Sequence, residues 1–304
     1  MNSDFEMGID VPLIPIFPGF KRLELSDRAD VERITARFPP YSDFNFTSMY
    51  SWDTHGHIFL SSLHGNLAVR FADYATMEPF YMFLGDEASN ETASMLIELS
   101  EQEGLVPELR LLPEAAVKEL DPLVFAVTEE HDHHDYIASL ERVAAYDGRQ
   151  FSRQRTAARR FEREHPAACF ELLDTMCLDA QARMRRLYAL WFERKHPGQA
   201  LAEDHEYQAF GRCLEMPHRN LIATGFSDGA QLVAFWIGEP LPNGYVMSHY
   251  NGIFPALKQQ TARVLLARGA RFLNLEQDLG LPGLRSNKRM YATDGLKKCR
   301  VSRL

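Results

Sequence analysis

Apolar and polar positions alternate most clearly between residues 220 and 275. Leu221-Ile-Ala-Thr-Gly-Phe226, Leu232-Val-Ala-Phe-Trp-Ile237 and Tyr245-Val-Met-Ser-His-Tyr250 are apolar runs separated by Asp228-Gly229 and Asn243-Gly244. Such Asp-Gly and Asn-Gly pairs are strong hairpin signals, because a type I′ turn needs positive φ at both central residues. The spacing therefore predicts a three-stranded antiparallel meander over 220–250. A helical stripe of Leu257, Thr261, Val264, Leu265 and Ala267, closed by Gly269, predicts a helix over about 256–268. A strand over 271–275 follows. Ahead of the meander lie two further helices. One spans 179–195, with Met184, Leu187, Tyr188 and Trp191 on one face; the other spans about 203–215 and is stopped by Pro217.

The first half repeats this order more faintly. Helical segments at about 27–38 and 43–53 precede strand-like His57-Ile-Phe-Leu60, a Leu63-His-Gly-Asn66 turn, Leu67-Ala-Val-Arg-Phe71 and Phe80-Tyr-Met-Phe-Leu84. A helix at about 89–103 and a strand near 107–112 complete it. The duplicated order predicts an α+β chain of two tandem halves, each a mainly antiparallel twisted sheet flanked by helices. It is the order of GNAT-type acyltransferase domains, an analogy of topology that does not by itself establish chemistry. The expected division is an acidic N-terminal domain over 1–125, a bridging strand and basic helix over 126–165, and a C-terminal domain over 166–304 that carries the site.

Charge divides the same way. Residues 1–148 hold 9 Lys+Arg against 27 Asp+Glu, and residues 149–304 hold 24 against 15, within a total of −9. A basic half implies an anionic partner, or attraction between the two halves, and the sequence leaves both open. No apolar run approaches the ~18 residues that cross a bilayer. The acidic N-terminus lacks a basic signal-like region, so a cytoplasmic location is expected. The cysteines, Cys169, Cys177, Cys213 and Cys299, show no C-x-x-C pair, which argues against a disulfide frame or zinc site.

Candidate chemistry is densest near the C-terminus. The run Arg271-Phe-Leu-Asn-Leu275 stops at Glu276 and Asp278, and a glycine-punctuated turn leads to Arg285 and Lys288 on a short helix. Carboxylates at a strand end beside such cations could seat an amine next to an anionic group, as acyl transfer from a phosphate-bearing donor requires. A buried salt-bridge network pinning the C-terminus is the structural alternative.

The pattern Asn274-x-Glu276-x-Asp278-x-Gly280-x-x-Gly283-x-Arg285-x-x-Lys288-x-x-Tyr291 resembles the C-terminal signature of the phosphatidylglycerol lysyltransferase C-terminal-domain family. Further matches are Asp135-Tyr136 with Gly148-Arg-Gln-Phe151 through Arg160-Phe161, and Pro40-Tyr41-Ser42-Asp43-Phe44 through Trp52. The resemblance implies the tandem GNAT-like fold and a transferase moving an acyl or aminoacyl group from an activated ester or thioester to an amine or hydroxyl. An acetyl-coenzyme A N-acetyltransferase and a non-catalytic binding scaffold are the alternatives. The chain departs from the family pattern at Tyr250-Asn251, Thr156 and Ala292-Thr293.

On this reading Glu276 or Asp278 orients the acceptor or takes its proton. Tyr291 either protonates the leaving group or is an aromatic core contact, the core contact being the preferred reading. Arg285, Lys288 and Lys258 bind phosphate. Backbone N–H groups at Asn251 and Gly252 polarise the carbonyl. Pro255 and Ala256 stand where a coenzyme A loop would offer N–H groups and glycine, which weakens the coenzyme A reading. The co-substrate is aminoacyl-tRNA or acyl-coenzyme A, with no tightly bound cofactor. The expected partners are tRNA, coenzyme A or a phospholipid head group, with peripheral membrane contact possible and DNA not among them.

Arg153, Arg155, Arg159, Arg160 and Arg163 form a cationic ridge on the basic helix. It suits either phosphate contacts through Arg155 and Arg159, on RNA, a lipid head group or coenzyme A, or pairing with the acidic N-terminal half. His131-Asp-His-His-Asp135 would place His131, His133 and Asp135 on one face if it were a strand. It reads instead as a solvated linker, with no metal site expected.

Overall fold

The computed structural model describes residues 13–74, 76–216, 220–252 and 255–304; the side chains of Asn251 and Gly252 lie outside that description. In chain order the first half contains β1 (Lys21–Arg22), α1 (Arg28–Thr35), α2 (Phe46–Trp52), β2 (Phe59–Leu63), β3 (Asn66–Ala72), β4 (Pro79–Leu84), α3 (Ser89–Gln102), β5 (Glu108–Pro113) and α4 (Glu114–Val117). The middle contains β6 (Phe125–Glu129), β7 (Asp135–Ser139), α5 (Leu140–Ala145) and α6 (Ser152–Glu164). The second half contains β8 (Cys169–Leu173), α7 (Leu178–Lys195), α8 (His205–Glu215), β9 (Ile222–Asp228), β10 (Gln231–Pro240), β11 (Tyr245–Gly252), α9 (Pro255–Ala267), β12 (Phe272–Asn274), α10 (Pro282–Tyr291), β13 (Ala292–Leu296) and β14 (Lys298–Arg303).

These form two tandem GNAT-like halves. The order α1-α2-β2-β3-β4-α3-β5 recurs as α7-α8-β9-β10-β11-α9-β12, as the hydrophobic pattern anticipated. Of the two expected type I′ turns, Asn243-Gly244 has positive φ at both central residues, whereas Asp228 does not: it pairs with Gln231, and only Gly229 (φ 59°) of the Gly229-Ala230 loop is left-handed. His64 and Gly65 (φ 52° and 80°) join β2 to β3, and Asn243 and Gly244 (φ 60° and 77°) join β10 to β11.

Each sheet has seven strands, in the orders β1-β2-β3-β4-β5-β14-β6 and β13-β7-β12-β11-β10-β9-β8. Within each the pairing is antiparallel except for β4 with β5 and β11 with β12. The tail 298–303, placed with the C-terminal domain on sequence grounds, is a strand of the first sheet between β5 and β6. Of the expected bridge, β6 pairs in the first sheet, while β7 sits between β12 and β13 in the second. The chain thus crosses between sheets at Glu130–His134 and again at Lys297.

Strand β10 is buried on both faces. Ala234 and Trp236 pack into a core with α5, α6 and α9, whereas Phe235 and Ile237 join a second core. That second core continues through Phe210 and Met184 into the first sheet at Leu60, Val69 and Phe83, so one apolar interior spans both halves.

A buried charged cluster lies at the junction. Lys298, 1% exposed, bonds to Asp43 and to Asp135 Oδ1 at 2.8 Å, and both carboxylates are fully buried. Ser42 donates through its N–H and Oγ to Asp135, and Tyr74 Oη and Gln277 Nε2 donate to Asp43. Burial alone would lower the Lys298 pKa, but the two carboxylates raise it.

Candidate active site

The parallel strands β11 and β12 pair over only three positions, Tyr245 with Phe272, Val246 with Leu273 and Met247 with Asn274. Beyond Asn274 the chain turns away while β11 continues, paired with β10, to Gly252. Among the described residues no strand covers the β12-facing side of 248–252, so a wedge opens there with backbone polar groups along one wall.

Glu276 stands at the mouth of this wedge. Its φ is +59°, a left-handed backbone unusual for a residue with a Cβ, and its N–H donates to Asn274 Oδ1 at 2.7 Å. The side chain is 21% exposed, with Oε1 3.6 Å from His249 Nδ1 and 3.4 Å from Ser48 Oγ. The other imidazole nitrogen of His249 is 3.5 Å from Glu239 Oε2. Glu239 in turn accepts from Arg28 at 2.8 Å and Asn45 at 2.9 Å. Burial opposes charge on both His249 and Glu239, but their mutual contact prevails. Together with Glu276 it raises His249 to about 9, and with Asn45 and Arg28 it lowers Glu239 to about 2. His249 is therefore an imidazolium held between two carboxylates, and it fixes the position of Glu276.

Asp278 is committed elsewhere. Its side chain is fully buried and accepts from Arg285 Nε at 2.8 Å, Arg285 Nη2 at 2.9 Å, Tyr136 Oη at 2.5 Å and the Gly280 N–H at 2.8 Å. Against the opposing effect of burial, the Arg285 and Tyr136 bonds lower its pKa to about 2. With its lone pairs so occupied it is a poor proton acceptor, and the bidentate pair leaves Arg285 less free for phosphate. Arg285 also reaches Asp132. This pair is the salt-bridge alternative realised: it anchors α10.

The lysines are arranged differently. Lys288, on α10, donates to the Gln277 carbonyl oxygen at 2.5 Å. Lys258, in the first turn of α9, sits 4.0 Å over the centroid of the Tyr291 ring. Neither has a carboxylate ion-pair partner among the described residues. Burial and then the charge of Lys288 lower Lys258 to about 8; burial also lowers Lys288, against the attraction of Glu276. Lys258 lies in the first turn of α9 and Lys288 in the last turn of α10, so the charge of two neighbouring cations adds to one helix N-terminus. Tyr291 is buried with Tyr146 and Phe151, ring centroids 6.2 and 5.7 Å away, and burial raises its hydroxyl pKa. It forms the floor beneath Lys258.

Asn251 and Gly252 end β11 opposite Trp236 and Phe235, at the wedge. Arg155 donates to the carbonyl oxygens of Tyr146 and Gly148 and so caps the end of α5. Arg159 is exposed, as are Arg153 and Arg163, and none of the three has a carboxylate partner among the described residues. Elsewhere the basic tail does meet the acidic half, through Lys297–Glu129, Arg300–Glu130 and Arg303–Glu98.

The stretch 131–135 corrects the solvated-linker expectation. Residues 131–133 are a 3₁₀ turn from which Asp132 reaches Arg285 and His133 bonds to Gln277 Oε1 at 2.9 Å, and Asp135, the first residue of β7, is buried. Sequence reasoning missed His249, Glu239, Asp43 and Lys298. A histidine near the end of the meander's last strand was the one available signal for His249.

A family model described as "Phosphatidylglycerol lysyltransferase, C-terminal" matches residues 35–301. No curated protein matches the sequence. A conserved protein of unknown function from Bacteroides thetaiotaomicron has a similar structure, with 21% identity, a TM-score of 0.79 and coverage of 94% of this chain and 99% of that one. L-PGS from Bacillus licheniformis aligns with 17% identity and a TM-score of 0.56 over 83% and 86%. The C-terminal domain of a putative lysylphosphatidylglycerol synthetase from Agrobacterium fabrum aligns with 10% identity and a TM-score of 0.62 over 91% and 92%. At these identities the three likenesses bear on the fold.

Proposed function

The chain belongs to the phosphatidylglycerol lysyltransferase C-terminal family, and from that premise we propose that it is an acyl- or aminoacyl-transferase working in the wedge between β11 and β12. The observation that carries the reading is Glu276: a partly exposed carboxylate, held by His249 and Ser48, whose charge acts on Lys288. Lys288 in turn neighbours Lys258, and neither lysine has a carboxylate ion-pair partner among the described residues. Lys258 and Lys288 hold the phosphate nearest the activated carbonyl of the donor. Glu276 accepts the proton as the acceptor amine or hydroxyl attacks that carbonyl. Collapse of the tetrahedral intermediate breaks the acyl–oxygen or acyl–sulfur bond, the departing donor alcohol or thiol taking that proton back from Glu276. The open wall of β11 offers N–H groups to the developing oxyanion.

Pro255 at the start of α9 removes a backbone donor where a coenzyme A pyrophosphate would need one, and this favours aminoacyl-tRNA as donor. Arg153, Arg159 and Arg163 of α6, which have no carboxylate partner among the described residues, lie on a helix packed against α9 and suit an RNA backbone near that end. The acceptor's identity is left to the assay. The test is transfer of a labelled aminoacyl group from tRNA to phosphatidylglycerol vesicles or to small amines, with acetyl-coenzyme A run in parallel. Transfer from aminoacyl-tRNA that drops at least 100-fold in Glu276→Gln supports the reading. An unchanged rate in that variant removes Glu276 from the mechanism, and turnover with acetyl-coenzyme A alone reverses the donor assignment.

A further inference from the structure

The two crossings between the sheets lie side by side. The first leaves β6 at Glu129 and passes through the 131–133 turn to β7; the second runs from β13 through Lys297 into β14. Glu130 N–H donates to the Lys298 carbonyl oxygen at 2.9 Å, and Lys297 Nζ donates to Glu129 Oε1 at 2.7 Å. Here Glu129, His131 and His134 come together, with one ligand atom from each within 4.8 Å of the others.

We propose that Glu129, His131 and His134 form a binding site for a divalent transition metal such as Zn²⁺ or Ni²⁺, and that the metal ties the two inter-sheet crossings together. The donor set fits: two imidazoles and a carboxylate suit these ions, with water completing the shell. Glu129 keeps Oε2 toward His131 Nδ1, at 3.5 Å, while its other oxygen holds Lys297. His134 Nε2 lies 3.2 Å from the Lys298 carbonyl oxygen, so it carries the proton and leaves Nδ1 with the lone pair. That backbone bond is the outer partner that orients a metal-binding imidazole. Two donors about 2.1 Å from a tetrahedral zinc stand roughly 3.4 Å apart. Rotation of the exposed His131 ring, packed edge-on to His134, closes the remaining distance.

The turn also connects this site to the wedge. Asp132, between the two histidines, bonds to Arg285, and His133 bonds to Gln277, whose carbonyl oxygen accepts from Lys288. A metal here would hold both the crossover and the turn that braces α10. The site stands independently of the transferase reading.

The experiment is calorimetric titration of tag-free, chelator-stripped protein with ZnCl₂ and NiCl₂, read alongside the thermal midpoint. The expected result is one ion per chain, a metal-dependent rise in midpoint, and at least a tenfold loss of affinity in both H131A and H134A. Glu129→Gln should weaken binding less, and the metal-free midpoint of H131A, an exposed position, should match the wild type. No saturable binding overturns the proposal, as does undiminished binding in the H131A/H134A double variant, which would place the ion on other residues such as the exposed Cys169 and Cys177.

Discussion

His249 Nδ1 lies 3.6 Å from Glu276 Oε1, and this contact joins a residue of the meander's last strand to the carboxylate that turns out of β12. The folded protein holds the imidazolium with a pKa of about 9, above its ordinary value of 6.5. A raised pKa contributes stability that is full below pH 6.5 and is lost as pH rises through 9. Urea unfolding across this window should show wild-type stability falling by on the order of 3 kcal/mol. His249→Gln should be nearly flat over the same range. Parallel pH dependence of the two proteins would show that the histidine is not charged in the fold.

Lys298→Met leaves Asp43 and Asp135 buried without their cation. The expected loss is about 3–5 kcal/mol by chemical denaturation. Adding Asp43→Asn and Asp135→Asn should recover part of it. A loss within measurement error for Lys298→Met would mean the cluster holds nothing together.

Arg285→Ala strips Asp278 of its two-pronged partner. Asp278, lowered to about 2 from 3.8, contributes stability that is present above pH 3.8 and lost as pH falls through 2. The acid-unfolding midpoint of Arg285→Ala should therefore move up by about one pH unit, with Arg285→Lys intermediate because it cannot form the bidentate pair. An unmoved midpoint would show that the pair does not govern acid tolerance.

Lys258→Met should raise the melting temperature of the ligand-free protein slightly, since it removes one of two mutually repelling cations. It should also abolish stabilisation by inorganic pyrophosphate at low salt. In the wild type that stabilisation should fade as pH rises through 8, where Lys258 loses its proton. Pyrophosphate stabilisation that survives in Lys258→Met places the anion elsewhere.

Replacing Arg159 and Arg163 with glutamine should weaken tRNA affinity and make binding less sensitive to salt. The slope of log affinity against log salt should flatten by about one unit for each phosphate no longer neutralised. An unaltered slope would show that RNA does not lie along α6.

Most of the repeating architecture could be read from the chain, because hairpin chemistry and helical periodicity are local. The 255–267 helix and the Asn243-Gly244 turn are where periodicity and turn chemistry place them. The Glu276 region was visible too, since its residues lie close together in sequence. What escaped is non-local. Lys298 reads as one more basic residue near the end of the chain until its partners, Asp43 and Asp135, arrive from far along the sequence. His249 takes its charge from Glu239 on the neighbouring strand and from Glu276, and no spacing rule links the three. The 131–135 stretch looked like solvent-facing linker because its partners, Arg285 and Gln277, lie roughly 150 residues downstream.

Residues 298–303 enter the first sheet between two strands made more than 160 residues earlier. During synthesis, then, the leading half must leave the ribosome with a vacant slot in its sheet, and it can close only after the trailing half has been translated. Neither half is a separable module, and shaving those six residues would open a gap in the middle of a sheet.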